Sequence, residues 1–474
     1  MNLIEKMIRG FYVDLRSIYL FRIVLGAITA FYTVYVLFYS NLFLASNGIL
    51  PLESIYRFYL QPPIFLLSDS LAYQQCILLF MIGLSIVQIL SVYPRIAGLF
   101  LYYLLLCLLY RIQPFINSGL KLLLYLQLFS SFLPKTKSLI EFCRHDLHKN
   151  YRIVTVGTVL LVLQAPIMFF ISAIFKSQSA SWRSGIAVYQ ALQLDMYTHD
   201  FSFLFRDLPT GLYQFLTYTT LLVEFAAPVL LLLGGFSDKA RLLAWATLSL
   251  FAIVFTLLLR LGIFPLVVFC ALVPLFPTLG FTMLGSKQKE TIAVKQNFRG
   301  LLNIFAGVVI CVVIYGNLHK TFSKTFPISQ QVKKYIYLPT LLQQNWNVYG
   351  QEKWRSTSVS LIASTTKGTK GNLWEWWSAG ISEDKIRMFP ASMHYYRNSF
   401  HLIGLNDFLY FHGNREYENN RLGRLSNYLC RKYNSSHQNN KIENVQVWSS
   451  KREVLNFHEI YFNTPSLIRS VDCE

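Results

Sequence analysis

The chain has 474 residues, of which 54% are hydrophobic, 16% aromatic and only 14% charged. Average soluble proteins carry about 25% charged residues, so this composition excludes a disordered, collagen-like, coiled-coil or disulfide-rich miniprotein and points to lipid as the solvent. The formal charge of +19 reads as the basic loops that orient membrane proteins, not as a nucleic-acid surface.

A membrane span needs about 20 mostly apolar residues. Met1 to Arg22 carries charges throughout and has no small-residue cleavage site, so it does not read as a cleavable signal peptide. Candidate spans follow at roughly 18–38, 73–93, 96–112, 118–134, 153–175, 211–235, 240–259, 262–279 and 300–318. The pair at 240–279 reads either as one long broken helix or as a hairpin around Arg260-Leu261-Gly262, since Gly262 permits a turn.

With the N-terminus in the cytoplasm, the inside segments hold fifteen Lys and Arg, from Lys6 to Arg299. The outside segments hold seven: Arg57, Arg111, Lys121, Lys176, Arg183, Arg206 and Arg260. This bias sets the orientation. The basic run before 300–318 favours nine spans over eight and sends the C-terminal region outside.

After about residue 320 the composition changes. Residues 356–364 and 444–448 alternate like half-buried strands. Gly368 and Gly371 mark a turn before Leu373-Trp374-Glu375-Trp376-Trp377. Residues 398–412 read as another strand pair, and 412–440 as helix plus loop. The expected fold class is an all-α polytopic membrane domain of about nine transmembrane helices at 1–320, followed by a small extracytoplasmic β-rich domain at 321–474. Of the seven cysteines (Cys76, Cys107, Cys143, Cys270, Cys311, Cys430, Cys473) none forms a CxxC or a metal-ligand spacing. Most sit in apolar runs and read as small buried hydrophobes.

Several residues carry candidate chemistry. Arg16 and Arg22 flank the start of the first span. They read as snorkelling interface arginines, although Arg22 lies four residues into the apolar run, where an ionisable group usually faces a cavity or a partner. Lys176 ends an apolar helix and precedes the polar run Ser-Gln-Ser-Ala-Ser and Trp182. It either snorkels or sits desolvated at a cavity rim, where a neutral amine acts as a base. The chain then continues through Tyr189 and Asp195 to His199. Glu224 stands inside the sixth span, where a carboxylate needs a partner; Arg16, Arg22 and the Thr217–Thr220 stretch are the candidates. Pro228, one turn on, frees a backbone carbonyl.

Taken in order, Arg16…Arg22-Ile-x-x-Gly26, Gly48-Ile-Leu-Pro51, Asn117-Ser-Gly119 before a run ending Phe132-Leu-Pro134, Lys176…Trp182-x-x-Gly185, Tyr189-x-Ala-Leu-x-Leu, Glu224-x-x-x-Pro228 and Gly262-Ile-Phe264 resemble the HTTM domain family. These are bacterial relatives of the vitamin K-dependent gamma-carboxylase, and the resemblance covers residues 10 to about 285. Gln344-Asn-Trp346-Asn-Val-Tyr-Gly350 looks like the segment that opens the family's outer domain.

The resemblance implies an integral membrane enzyme that acts on a reduced, vitamin K-like quinone, with Lys176 as the candidate catalytic base. It implies Trp182, Tyr189, Glu224 and Arg22 as substrate-binding residues, and no metal. The chain departs from the carboxylase pattern in lacking any His between residues 1 and 144, and in having apolar residues around Phe251 and Ala252 where the family has a His. Its outer region is also shorter. These departures argue against glutamate carboxylation.

The expectation is a multi-pass inner-membrane protein, a lysine-dependent lyase or oxidoreductase acting on a quinone or another lipid-soluble substrate. The alternative is a non-enzymatic export, maturation or immunity factor for a secreted peptide. The partners implied are membrane lipid, a quinone and a secreted peptide or protein, with no nucleic acid. No inverted repeat points to a transporter.

Overall fold

The computed structural model describes residues 9–52, 55, 64–134, 151–194, 198, 200–259, 261–284, 292–295, 300–350, 354–373, 415–457, 459–462 and 464–473. The described chain is mostly helical, with a small sheet region. Seven of its helices are long and apolar enough to cross a membrane: α1 (Leu15–Phe38), α2 (Leu71–Ile89), α3 (Pro94–Arg111), α5 (Val156–Gln178), α7 (Thr210–Leu232), α8 (Asp238–Leu258) and α10 (Leu301–Thr321). They mark the chain as a multi-pass membrane protein in contact with lipid. Two further apolar runs form shorter helices, α4 (Ser118–Ser131) and α9 (Phe264–Leu272). A seven-residue helix, α6 (Ala187–Gln193), lies between α5 and α7.

Local chemistry sets the helix starts. Asp14 caps α1, accepting from the Arg16 backbone at 3.0 Å and from the Arg16 guanidinium at 2.9 and 2.8 Å. Thr278 donates to the same carboxylate, and the Arg16 guanidinium lies 4.2 Å from the Phe281 ring centre. Arg16 is therefore a buried structural cation, not one that snorkels. Thr155 and Thr158 form a reciprocal capping box at the start of α5.

Helix α4 is only 14 residues long, about 21 Å at 1.5 Å per residue, short of a bilayer core of about 30 Å. It needs no lipid contact, because Gly119 through Ser131 are almost all buried by neighbouring helices. Gly119 makes that centre possible. A Cβ there would stand 2.7 Å from the Phe264 backbone at the start of α9. A buried amide ladder crosses the same region, with Gln88 donating to Gln127 at 3.0 Å and Gln127 to Thr29 at 2.6 Å.

The run 240–279 is a hairpin. Helices α8 and α9 pack together, and Gly262 turns between them at φ 58°. Strands β1 (Val13–Asp14), β2 (Tyr151–Val154) and β3 (Ile292–Lys295) form a small sheet. It places the starts of α1 and α5 on one face of the bundle.

The C-terminal sheet contains β4 (Trp354–Thr365), β5 (Lys370–Asn372), β6 (Ile442–Asn456), β7 (Glu459–Phe462) and β8 (Ser466–Asp472), in the order β5-β4-β6-β7 with β8 also on β6. The strands expected at 356–364 and 444–448 are the cores of β4 and β6. Helix α11 (Arg415–Ser436) lies within the expected helical segment. The strand pair expected at 398–412 and residues 374–377 lie outside the described residues.

The cysteines behave differently from expectation. Cys430 on α11 and Cys473 after β8 are disulfide-bonded, with Cα atoms 5.8 Å apart, and Cys76 and Cys311 are exposed. Only Cys107 and Cys270 among the described thiols are buried. A spacing of 43 residues carries no sequence signal of pairing. The fold brings the two together by laying α11 across β8.

Candidate functional site

The site forms where α5, α7 and α8 meet a strap of extended chain. Helix α5 is apolar until its last turn, which holds Lys176. Lys176 Nζ donates to Glu224 Oε1 of α7, and both side chains are 2% exposed. The expected partners of Glu224 are engaged elsewhere: Arg16 with Asp14, and Thr217 with the carbonyls of Gly185 and Tyr213. A buried charge needs a nearby opposite charge, and α5 and α7 pack side by side, so the one cation of α5 and the one carboxylate of α7 find each other.

Trp182 closes one side of the lysine. The Ser-Gln-Ser-Ala-Ser run turns back over the bundle and brings the Trp182 ring centre to 5.1 Å from Lys176 Nζ. The indole N–H donates to the Tyr349 carbonyl at 2.6 Å. Gly185 follows in the left-handed region, at φ 80°, where α7 approaches closely.

The strap runs through residues 341–350. Its hub is Gln344, which has no exposed surface. It donates to Gln164 of α5 at 2.9 Å and accepts from Asn317 of α10 at 3.0 Å and from the Trp346 indole at 2.8 Å. The strap thereby seats Trp346, Val348 and Tyr349 beside the ion pair.

Two cavities adjoin Lys176. The larger, of about 610 Å³, lies between α7 and α8 beneath α6, with Trp182 and Tyr349 also on its wall. Apart from Lys176, Thr219, Thr220, Thr247 and the polar tips of Trp182 and Tyr349, its lining is apolar. It extends along α8 from Thr247 to Leu258, about 16 Å of helix axis at 1.5 Å per residue. Leu250 and Leu257 of α8 line it and are 62% and 55% exposed, so it opens on the lipid-facing surface. Its volume falls in the range of about 300–1,000 Å³ usual for small-molecule sites. The smaller cavity, about 30 Å³, is lined by Ser172, Lys176, Glu224, Phe251, Phe255 and Trp346 among others. Lys176, Phe251 and Phe255 border both.

The site thus unites Lys176, Trp182 and Glu224. Tyr189 is not among the residues that line the cavity; its ring packs edge-on against Tyr213 at 5.1 Å and at a tilt against Phe457 of the β6–β7 turn at 5.2 Å. Arg22 is remote. It lies seven residues after Leu15, and Lys176 twenty after Val156. At 1.5 Å per residue these are depths of about 10 and about 30 Å from helix starts that share one face. Arg22 instead donates to the Pro134 carbonyl at 2.9 Å. Asp195 and His199 lie outside the described residues.

Ser172 and Phe255 join the site without having been named, whereas Phe251 was noted only as apolar where the family has a His, and Trp346 and Tyr349 only as part of the segment that leads into the outer domain. Ser172 had a signal, since it precedes Lys176 by one helical turn and shares its face. Phe255 had none, being indistinguishable from other apolar residues of α8. Among the described residues no group of His, Cys, Asp and Glu is arranged to hold a metal. The chain matches no protein-family model, no curated protein and no solved structure.

Proposed function

We propose that this chain is a membrane enzyme of the HTTM type, in which Lys176 acts as a base on a lipid-soluble substrate of the reduced-quinone class. The observation that carries the reading is the buried Lys176–Glu224 pair at the wall of an elongated apolar cavity open towards lipid. A substrate with a polar ring and an apolar tail enters from the bilayer. Its tail lies along Leu250 and Val254, and its ring meets Lys176 and Trp182. The carboxylate of Glu224 takes up the ammonium proton and leaves a neutral amine, the form a base requires. No His faces the cavity among its described lining residues, so the reading stops at deprotonation of the substrate and leaves out glutamate carboxylation.

The proposed topology has nine crossings: the seven long helices, and two made by the buried helices α4 and α9 together with the chain that flanks each, since neither helix alone is long enough to cross. The N-terminus lies in the cytoplasm of the inner membrane and the β-rich domain on the far side. The Lys and Arg bias of the loops supports this, and so does the Cys430–Cys473 disulfide, because such bonds persist in oxidising compartments.

A quinone photoaffinity probe tests the substrate class. Labelling should map to α7 and α8 and be lost in Val254→Trp, which fills the cavity. Undiminished labelling in that variant would remove the cavity as the quinone site.

A further inference from the structure

The amine of Lys176 has a second chemistry available, as a nucleophile. Three features of the site suit it. The amine borders a cavity long enough for a polyprenyl or acyl chain. Its ion-pair partner is a carboxylate that is itself 2% exposed, and whose second oxygen, Oε2, has no hydrogen-bond partner among the described residues. A small chamber lies against Ser172, Lys176 and Glu224. At about 30 Å³ it exceeds the roughly 10–15 Å³ that one water requires, and it supplies the two or more polar partners a buried water needs.

We propose that Lys176 forms an imine with a lipid-borne aldehyde that enters the large cavity, and that Glu224 moves the protons. The carboxylate of Glu224 first takes a proton from the Lys176 ammonium. The neutral amine adds to the aldehyde carbon, and the nitrogen's extra proton passes to the oxygen, giving a carbinolamine. Protonated Glu224 then returns its proton to the departing hydroxyl. The C–O bond breaks, the nitrogen lone pair forms the C=N bond, and one water is released. The product is a protonated imine paired with the Glu224 carboxylate. One aldehyde and one ammonium become one iminium and one water, with charge unchanged and no oxidant or reductant consumed. The chamber receives the water and the apolar walls keep bulk water away, which protects the imine from hydrolysis. Buried lysines in apolar sites act in this way on carbonyl compounds in general. This inference shares the lipid-side cavity with the quinone reading but does not depend on the quinone.

The test uses the full chain in lipid nanodiscs, farnesal as the probe, and borohydride to reduce any imine to a stable amine, followed by peptide mapping. The expected result is an adduct on Lys176 well above the labelling of the exposed Lys324 and Lys333. Lys176→Arg keeps a cation opposite Glu224 and should fold, yet should lose the adduct. Glu224→Gln should slow adduct formation about a hundredfold, the scale of general acid–base assistance. Labelling of Lys176 no greater than that of Lys324, or an adduct that persists elsewhere in the Lys176→Arg cavity, would overturn the proposal. An unchanged rate in Glu224→Gln would overturn the carboxylate's part in it. The quinone photoprobe separates the two readings. Farnesal trapping without quinone labelling refutes the quinone alone, and quinone labelling without trapping refutes the imine alone.

Discussion

Trp182 donates its indole N–H to the Tyr349 carbonyl, 2.6 Å away, and so ties the loop after α5 to the strap that leads into the C-terminal sheet. Both residues wall the large cavity. The geometry of the Lys176 site therefore depends on chain that lies beyond the helix bundle.

Replacing Trp182 by Phe keeps an aromatic ring, though a smaller one, and removes the donor. It should cost about 1–3 kcal/mol, the usual penalty for leaving a buried carbonyl unpaired. Thermal unfolding in detergent measures this, and limited proteolysis should cut the strap sooner than in the parent. An unchanged melting curve would mean that the hydrogen bond contributes nothing.

The buried ion pair predicts an asymmetry. Lys176→Ala or Glu224→Ala alone should destabilise by about 3–5 kcal/mol, because each strands the opposite charge. The double change Lys176→Met with Glu224→Gln removes both charges and should recover most of that loss. If the double variant is no more stable than the singles, the two groups are not coupled as described.

Gln344→Leu removes the acceptor for Asn317 and Trp346 and the partner of Gln164. With several buried polar groups orphaned at once, a loss of about 3 kcal/mol or more is expected. The indole fluorescence of Trp346 should shift as well, and retention of both parental stability and spectrum would show that Gln344 is no hub.

Gly119→Ala places a methyl group 2.7 Å from the Phe264 backbone. Overpacking of this kind costs about 1–3 kcal/mol. The loss should appear as a lower melting temperature, whereas Gly83→Ala, where a Cβ meets nothing within 4 Å, should be neutral or better.

The disulfide gives a direct test of sidedness. In intact spheroplasts, an impermeant thiol reagent should miss Cys473 until an impermeant reductant is added, and then label it. Labelling without reduction would deny the bond. Labelling only after lysis would put the domain in the cytoplasm.

Much of the helical scaffold was legible. Every apolar run from 18–38 to 300–318 holds a helix, because a segment away from water must satisfy its backbone within itself. Strands β4 and β6 were legible by alternation, and Gly262 by its turn. Lys176 and Glu224 stood out for a related reason: an ionisable side chain inside an apolar run must find a partner or a cavity. That each exists for the other did not follow, since 48 residues separate them and only the packing of α5 on α7 pairs them. Arg22 stood out by the same logic, and the resemblance made it a substrate-binding residue, yet the fold gives it a backbone carbonyl at another depth. The cysteine pair was hidden because no local pattern records it.

The sequence alone thus determined which segments are apolar enough to form membrane helices, and that Lys176 and Glu224 require compensation, because hydropathy and charge act locally along the chain. Tertiary structure alone decided that the two compensate each other, that Trp346 and Tyr349 return from beyond residue 320 to wall them in, and that α7 and α8 part to leave a lipid-side cavity. Those outcomes depend on how helix surfaces and a distant strap fit together, which no window of sequence contains.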